Sequence, residues 1–156
     1  MTLSEITIGI LTVSDTRTEE TDLSGPAAAV ALEELGFLKL ERRICRDEAH
    51  EIADAIRALC SRCAAVFTTG GTGFGHRDVT PEATVPLLDR RADSLCELMR
   101  LRGAEKTPMS HLSRGVAGIR GKALIVNLPG SPAGAREGIE AIAHLLLPIL
   151  EALVST

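Results

Sequence analysis

The sequence predicts an α/β fold, a parallel sheet with helices packed on both faces. Two observations predict it. Three short runs rich in β-branched and aliphatic residues, 6–13, 64–69 and 124–128, are apolar nearly throughout, as strands buried on both faces are. Each is followed by polar or glycine-rich residues and then by a helix-start signal, so strands and helices alternate along the chain. The 156 residues fit one domain, 1–156, with no repeat, low-complexity tract or linker.

The first strand, 6–13, leads into a loop, 14–23, rich in Thr, Asp and Glu. Ser24-Gly25-Pro26 opens a helix and Gly36 stops it. Residues 38–45 form a second strand, alternating and more polar. Asp47 stands where an N-cap belongs, and a helix runs from it to about Leu59. After the short third strand, 64–69, a glycine-rich loop covers 70–79. Thr80 as N-cap, with Pro81 at the first helical position, starts another helix. A helical stretch spans 94–104. After the last core strand, 124–128, Pro129-Gly130 turns the chain, Ser131 caps, and Pro132 begins the final helix. Pro148 is expected to kink that helix near His144, because its ring clashes one turn back.

Composition narrows the function classes. Aromatic residues make up 2%, three Phe with no Trp or Tyr, so the core is aliphatic and few rings remain for stacking on bases. A net charge of −4 leaves no basic footprint for nucleic acid or an anionic membrane. No apolar run has the length of a membrane span, and residues 1–5 are polar, unlike an export signal. The expectation is a cytoplasmic protein whose Cys45, Cys60, Cys63 and Cys96 are free thiols. The Cys60-x-x-Cys63 pair precedes a strand, whereas a redox pair follows one, and no second pair completes a zinc site. It reads as two small buried residues at a helix end.

In such sheets ligands sit beyond the C-terminal ends of the strands. Ser14, Asp15, Asp47, the glycine loop and Pro129-Gly130-Ser131 all follow a predicted strand, so they converge on one crevice. Glycines after a buried strand let backbone N–H groups approach an anion, and the following helix start adds a favourable dipole. Gly70-Gly71-Thr72-Gly73 is neither a Walker A loop, since no Gly-Lys-Ser/Thr follows, nor a dinucleotide fingerprint, since position 76 is His. By residue type and position Asp47 reads first as a helix cap, and Asp78 equally as the acid of an Asx-turn before Thr80. Facing a phosphate cradle together, the two are also suited to hold Mg²⁺, which takes one or two carboxylates plus substrate phosphates. Arg77 reads as a phosphate partner or as the mate of a nearby acid. His50, His76, His111 and His144 are scattered and offer no Ser-His-Asp set.

Three blocks carry a family resemblance: Thr12-Val13-Ser14-Asp15 with Asp22-Leu23-Ser24-Gly25-Pro26; residues 68–83; and residues 112–122 leading to Asn127-Leu128-Pro129-Gly130-Ser131-Pro132. They resemble the molybdopterin-binding family of MogA/MoaB type, which includes the G domain of gephyrin. The resemblance spans nearly the whole chain. It implies a three-layer αβα sandwich with a mostly parallel sheet, commonly assembled as a trimer, and molybdopterin adenylyltransferase activity with ATP and molybdopterin as substrates and Mg²⁺ as cofactor. In that family the adenylylated product passes to a separate molybdate-inserting protein. The family's Arg-Asp-x-Thr-Pro acid falls on Asp78. Its Pro-Asp-Glu acid falls on Asp47, although the Pro is here Arg46. These two would be the catalytic, metal-holding acids. Gly70, Gly71, Thr72 and Gly73 would hold the nucleotide, and Ser14, Asp15, Ser113, Arg114, Pro129, Gly130 and Ser131 the molybdopterin. A non-catalytic molybdopterin carrier or scaffold of MoaB type is the alternative within the same resemblance.

Overall fold

The computed structural model describes residues 1–155. After a short 3-10 turn, the chain runs through β1 (Thr7–Val13), α1 (Ser24–Glu34), β2 (Lys39–Cys45), α2 (Ala49–Cys60), β3 (Ala65–Thr69) and α3 (Thr80–Thr84). There follow β4 (Arg90–Arg91), α4 (Asp93–Ala104), a 3-10 turn at Pro108–Leu112, β5 (Ala117–Arg120), β6 (Ala123–Leu128) and α5 (Pro132–Val154). The six strands form one sheet in the order β2-β1-β3-β6-β5-β4. β2, β1, β3 and β6 are parallel; β5 and β4 add an antiparallel edge. The expected mostly parallel αβα sandwich is therefore present.

Side-chain alternation decides which helix each residue meets. Ile8 and Ile10 of β1, Phe67 of β3, and Leu124, Val126 and Leu128 of β6 point into one layer, with residues from α1, α4 and α5. Leu11 and Val13, Val66 and Ile125 point to the other face, against Ile52, Ile56 and Leu59 of α2 and Ala83 of α3. Both faces of the central strands are covered, which is why those runs read as continuously apolar. β2 lies at the sheet edge, and its half-exposed pattern matches its polar alternation.

Helix ends follow the sequence in part. Gly36 adopts φ +108, with its amide on Glu33 O at 2.9 Å and the Phe37 amide on Leu32 O at 3.1 Å, and it terminates α1 as expected. Ser131 accepts the Gly134 amide at 3.0 Å and caps α5. α5 carries Pro148 inside a helix that runs on to Val154. Thr80 is not the cap of α3; it lies within the helix, and its hydroxyl donates to Gly70 O at 2.9 Å. The β4–β5 edge has no counterpart among the elements expected from sequence. β4 has two exposed arginines, and Gly118 in β5 leaves room for Arg90 O, to which a Cβ there would come within 2.5 Å.

Candidate functional site

Strand register sets the rim of the site. Val13 lies opposite Cys45, Thr12 opposite Thr69, and Thr69 opposite Leu128. The loops after β1, β2, β3 and β6 therefore leave the sheet at one level. The ladder extends past the strands, with the Ser14 amide on Cys45 O at 2.9 Å and the Gly70 amide on Leu128 O at 3.3 Å.

The glycine loop closes on itself where the Thr80 amide meets Gly71 O at 3.0 Å. Gly70 and Gly71 have φ of +103 and +70, a region open to glycine and strained for other residues. Close packing makes the same demand: a Cβ on Gly70 would stand 2.3 Å from Val13 O, and one on Gly71 2.2 Å from Thr80 Oγ1. Beneath the loop lies a buried polar network. Asn127 Nδ2 donates to Thr68 Oγ1 at 3.0 Å and to Thr84 Oγ1 at 3.2 Å, while its Oδ1 accepts the Val116 amide at 3.1 Å. Thr69 Oγ1 donates to Pro129 O at 2.6 Å. Every buried side-chain polar atom among the described residues is satisfied, so the loop rests on a rigid base.

The two expected acids converge on this loop. Asp47 Oδ1 lies 3.2 Å from where a Gly71 Cβ would be, and Asp78 Oδ2 lies 2.9 Å from the corresponding point at Gly73. Asp78 Oδ2 accepts the Gly75 amide at 2.8 Å. Asp47 is not the N-cap of α2. That position falls to Glu48, and no cap bond comes from its side chain. The Asp47 carboxyl faces the glycine loop instead, and its own amide donates to Asp15 Oδ1 at 3.0 Å. Burial, then the negative charge of Asp15, raise the Asp47 pKa above the usual carboxylate value, and Asp78 adds to this; the Asp15 amide and Arg77 act in the opposite sense. Among the described residues no group of three His, Cys, Asp or Glu is placed to hold a metal alone. Two carboxylates over a bare backbone loop suit a divalent cation that takes its other ligands from bound phosphates and water.

The residues expected to meet molybdopterin are distributed over several places. Ser113, Pro129 and Ser131 line a cavity of about 320 Å³ between α4, the 108–112 turn and the start of α5. Ser14 and Gly130, with Thr69, line a smaller one of about 140 Å³. Asp15 lines neither; it pairs with Arg77 through two bonds of 3.0 Å. The Arg77 hydrogen bonds, with the nearby Asp47 amide second, hold the Asp15 carboxyl below its ordinary pKa. Arg114 is committed to the loop: its guanidinium donates to Gly73 O and Asp78 O, each at 2.8 Å, and pairs with Glu82 at 2.8 and 3.1 Å. It is a strut of the glycine loop; it does not line the cavity of about 320 Å³ but borders, with Ser113, a separate one of about 350 Å³. His76 is exposed.

Sequence reasoning missed the cationic part of that cavity, Arg100 and Lys106. A signal existed: Cys96, Met99, Arg100 and Gly103 recur at helical spacing on α4 and form one wall. It also missed Glu48 and Glu82, the partners of Arg77 and Arg114. Nothing local in the sequence marks either.

Comparison with known proteins adds a family. The model described as "Probable molybdopterin binding domain" matches residues 9–152. A molybdopterin adenylyltransferase of Helicobacter pylori is 40% identical over 146 residues, 90% of this chain and 83% of that protein. Molybdenum cofactor biosynthesis protein B of Escherichia coli K12 is 35% identical, over 93% of this chain and 85% of its own length. A crystal structure of the molybdopterin biosynthesis enzyme MoaB of Thermus thermophilus superposes with a TM-score of 0.85 at 42% identity, covering 97% of this chain and 98% of that one.

Proposed function

The chain belongs to the molybdopterin-binding domain family, and on that premise we infer that it is an enzyme of molybdenum-cofactor biosynthesis, a molybdopterin adenylyltransferase. The observation that carries this reading is the pairing of Asp47 and Asp78 over one glycine loop, beside the cavity lined by Ser113, Pro129 and Ser131.

In the reaction proposed, a terminal phosphate oxygen of molybdopterin attacks the α-phosphorus of ATP. The bond from that phosphorus to the β-phosphate bridging oxygen breaks, and pyrophosphate leaves. Both reactants are polyanions, so the protein's task is to bring them together and offset charge. Gly70, Gly71, Thr72 and Gly73 offer a loop on which triphosphate can lie close to the backbone. Asp47 and Asp78 would hold Mg²⁺, which when bound neutralises phosphate charge and aligns the oxygens. Ser113, Pro129 and Ser131 would seat the pterin, in a cavity also lined by Arg100, which donates to Ser113 O and Gly115 O, and by Lys106, which is paired with Glu137. Ser14 and Gly130 would border the substrate from the smaller cavity. We place the protein in the cytosol, in keeping with Cys45, Cys60, Cys63 and Cys96 as free thiols. Among the described residues no helix is long and apolar enough to cross a membrane. The protein would work as a homotrimer and hand its product to a molybdate-inserting protein.

The test is direct. Purified protein given molybdopterin, ATP and Mg²⁺ should yield adenylyl-molybdopterin and pyrophosphate in equal amounts. Molybdopterin bound stoichiometrically with no ATP-dependent product would make the protein a carrier instead.

A further inference from the structure

Three loops meet at the mouth of the site, and one guanidinium joins them. Arg77 leaves the glycine loop immediately before Asp78. Its Nε donates to Asp15 Oδ2 and its Nη2 to Asp15 Oδ1, both at 3.0 Å, a fork-to-fork pairing. The same Nη2 donates to Glu48 Oε1 at 3.0 Å. Asp15 lies in the loop after β1, and Glu48 in the loop after β2, next to Asp47. Asp15 Oδ1 also accepts the Asp47 amide at 3.0 Å. A continuous chain of contacts thus starts at the backbone beside Asp78 and ends on two adjacent residues, the Asp47 amide and the Glu48 carboxylate. Arg77 itself bonds to no carboxylate oxygen of Asp47 or Asp78.

Resting on the reading that Asp47 and Asp78 share a divalent cation with the nucleotide, we propose that Arg77 is a positioning residue that holds these two carboxylates in register by fastening the loops that carry them, with Asp15 and Glu48 as its anchors. Asp15 and Glu48 take three of the five guanidinium N–H donors and fix the plane of the group, leaving only Nη1 without a bond to them. The planar fork fixes orientation as well as distance, which a lysine ammonium does not. Arg77 and its partners are partly exposed, so these pairs contribute little to global stability and their loss falls on site geometry.

The experiment counts Mn²⁺ bound to the full chain in the presence of a non-hydrolysable ATP analogue, from the EPR signal of the free ion. Arg77→Gln should weaken Mn²⁺ binding about ten-fold, the usual scale for losing a group that orients metal ligands. The melting temperature should move by no more than about 2 °C. Arg77→Lys should recover only part of the lost affinity. In turnover, raising the metal should return kcat of Arg77→Gln toward wild type, with KM for ATP at saturating metal within about two-fold. Unchanged Mn²⁺ affinity in Arg77→Gln overturns the proposal. So does a KM for ATP that stays raised at saturating metal, which would make Arg77 a phosphate ligand. If wild-type protein binds no Mn²⁺ beside the analogue, the shared-cation reading falls and takes this proposal with it.

Discussion

Asp47 and Asp78 sit over neighbouring glycines but are held differently. Asp78 is fastened by the Gly75 amide, whereas Asp47 is partly desolvated and repelled by Asp15 and Asp78. A carboxylate in that position gains from a nearby cation, which is the physical content of the metal reading. Asp78→Asn keeps the shape and removes the charge, so adenylyl-molybdopterin formation, followed by chromatography, should slow by about 100-fold. Wild-type turnover in that variant would remove Asp78 from the metal. Gly71→Ala should weaken ATP binding about ten-fold or more, since it forces both a strained φ and a contact with the Thr80 hydroxyl. Isothermal titration with ATP checks it, and an unchanged Kd would mean that the nucleotide does not use this loop. Arg114, which the motif assigns to the pterin, makes four bonds to the loop and Glu82 and borders a cavity beside Ser113.

At the level of elements, the start of α1 is more elaborate than Ser24-Gly25-Pro26 suggests. Asp22 is 4% exposed. Its Oδ1 accepts the Gly25 amide at 3.1 Å, and its Oδ2 takes the Thr12 hydroxyl at 2.7 Å and Arg42 at 3.2 Å. One carboxylate therefore takes a first-turn amide of α1 and ties β1 to β2. Asp22→Ala strands a buried hydroxyl and a half-exposed guanidinium together and should cost about 2–4 kcal/mol in urea unfolding. Ser131→Ala removes only one cap bond at an exposed helix start and should cost about 1 kcal/mol. Equal losses would contradict the distinction between a buried junction and a surface cap. Local patterns mark the buried strands and the ends of α1 and α5. They miss β4 and β5, because a two-residue exposed strand has no periodicity to read and β5 contains Gly118.

Across the whole molecule, charge and burial predict an asymmetric pH response. Asp15, Glu41 and Glu82 are held below their ordinary pKa chiefly by hydrogen bonds from Arg77, Arg62 and Arg114. Stability that they lend is present above the unfolded carboxylate range and is lost as pH falls through the lower folded values. Because these groups are largely exposed, that loss should be shallow. The thiols act at the other end. Burial pushes Cys60, Cys63 and Cys96 up to about 11, and Cys45 to about 12. Unfolded chains release these protons at about pH 8.5–9, so stability should decline steadily from about pH 9 to pH 11. Urea midpoints taken across that range test this, and the slope should lessen when Cys63 and Cys96 are replaced by Ala. A flat midpoint over the same range would refute it.

Fold class, the positions of the buried strands and the loops that follow them were readable along the chain. They depend on short-range periodicity and on glycine and proline, whose conformational limits act over a few residues. Which acid meets which arginine was settled only by folding. Arg77 finds Asp15, 62 residues away, and Glu48, 29 away, and Arg114 finds Glu82, 32 away. Such pairings depend on strand order and register bringing separate loops to one rim, and no local propensity encodes a partner at that distance. For the same reason Asp47, a plausible helix cap by its neighbours, became a residue of the crevice.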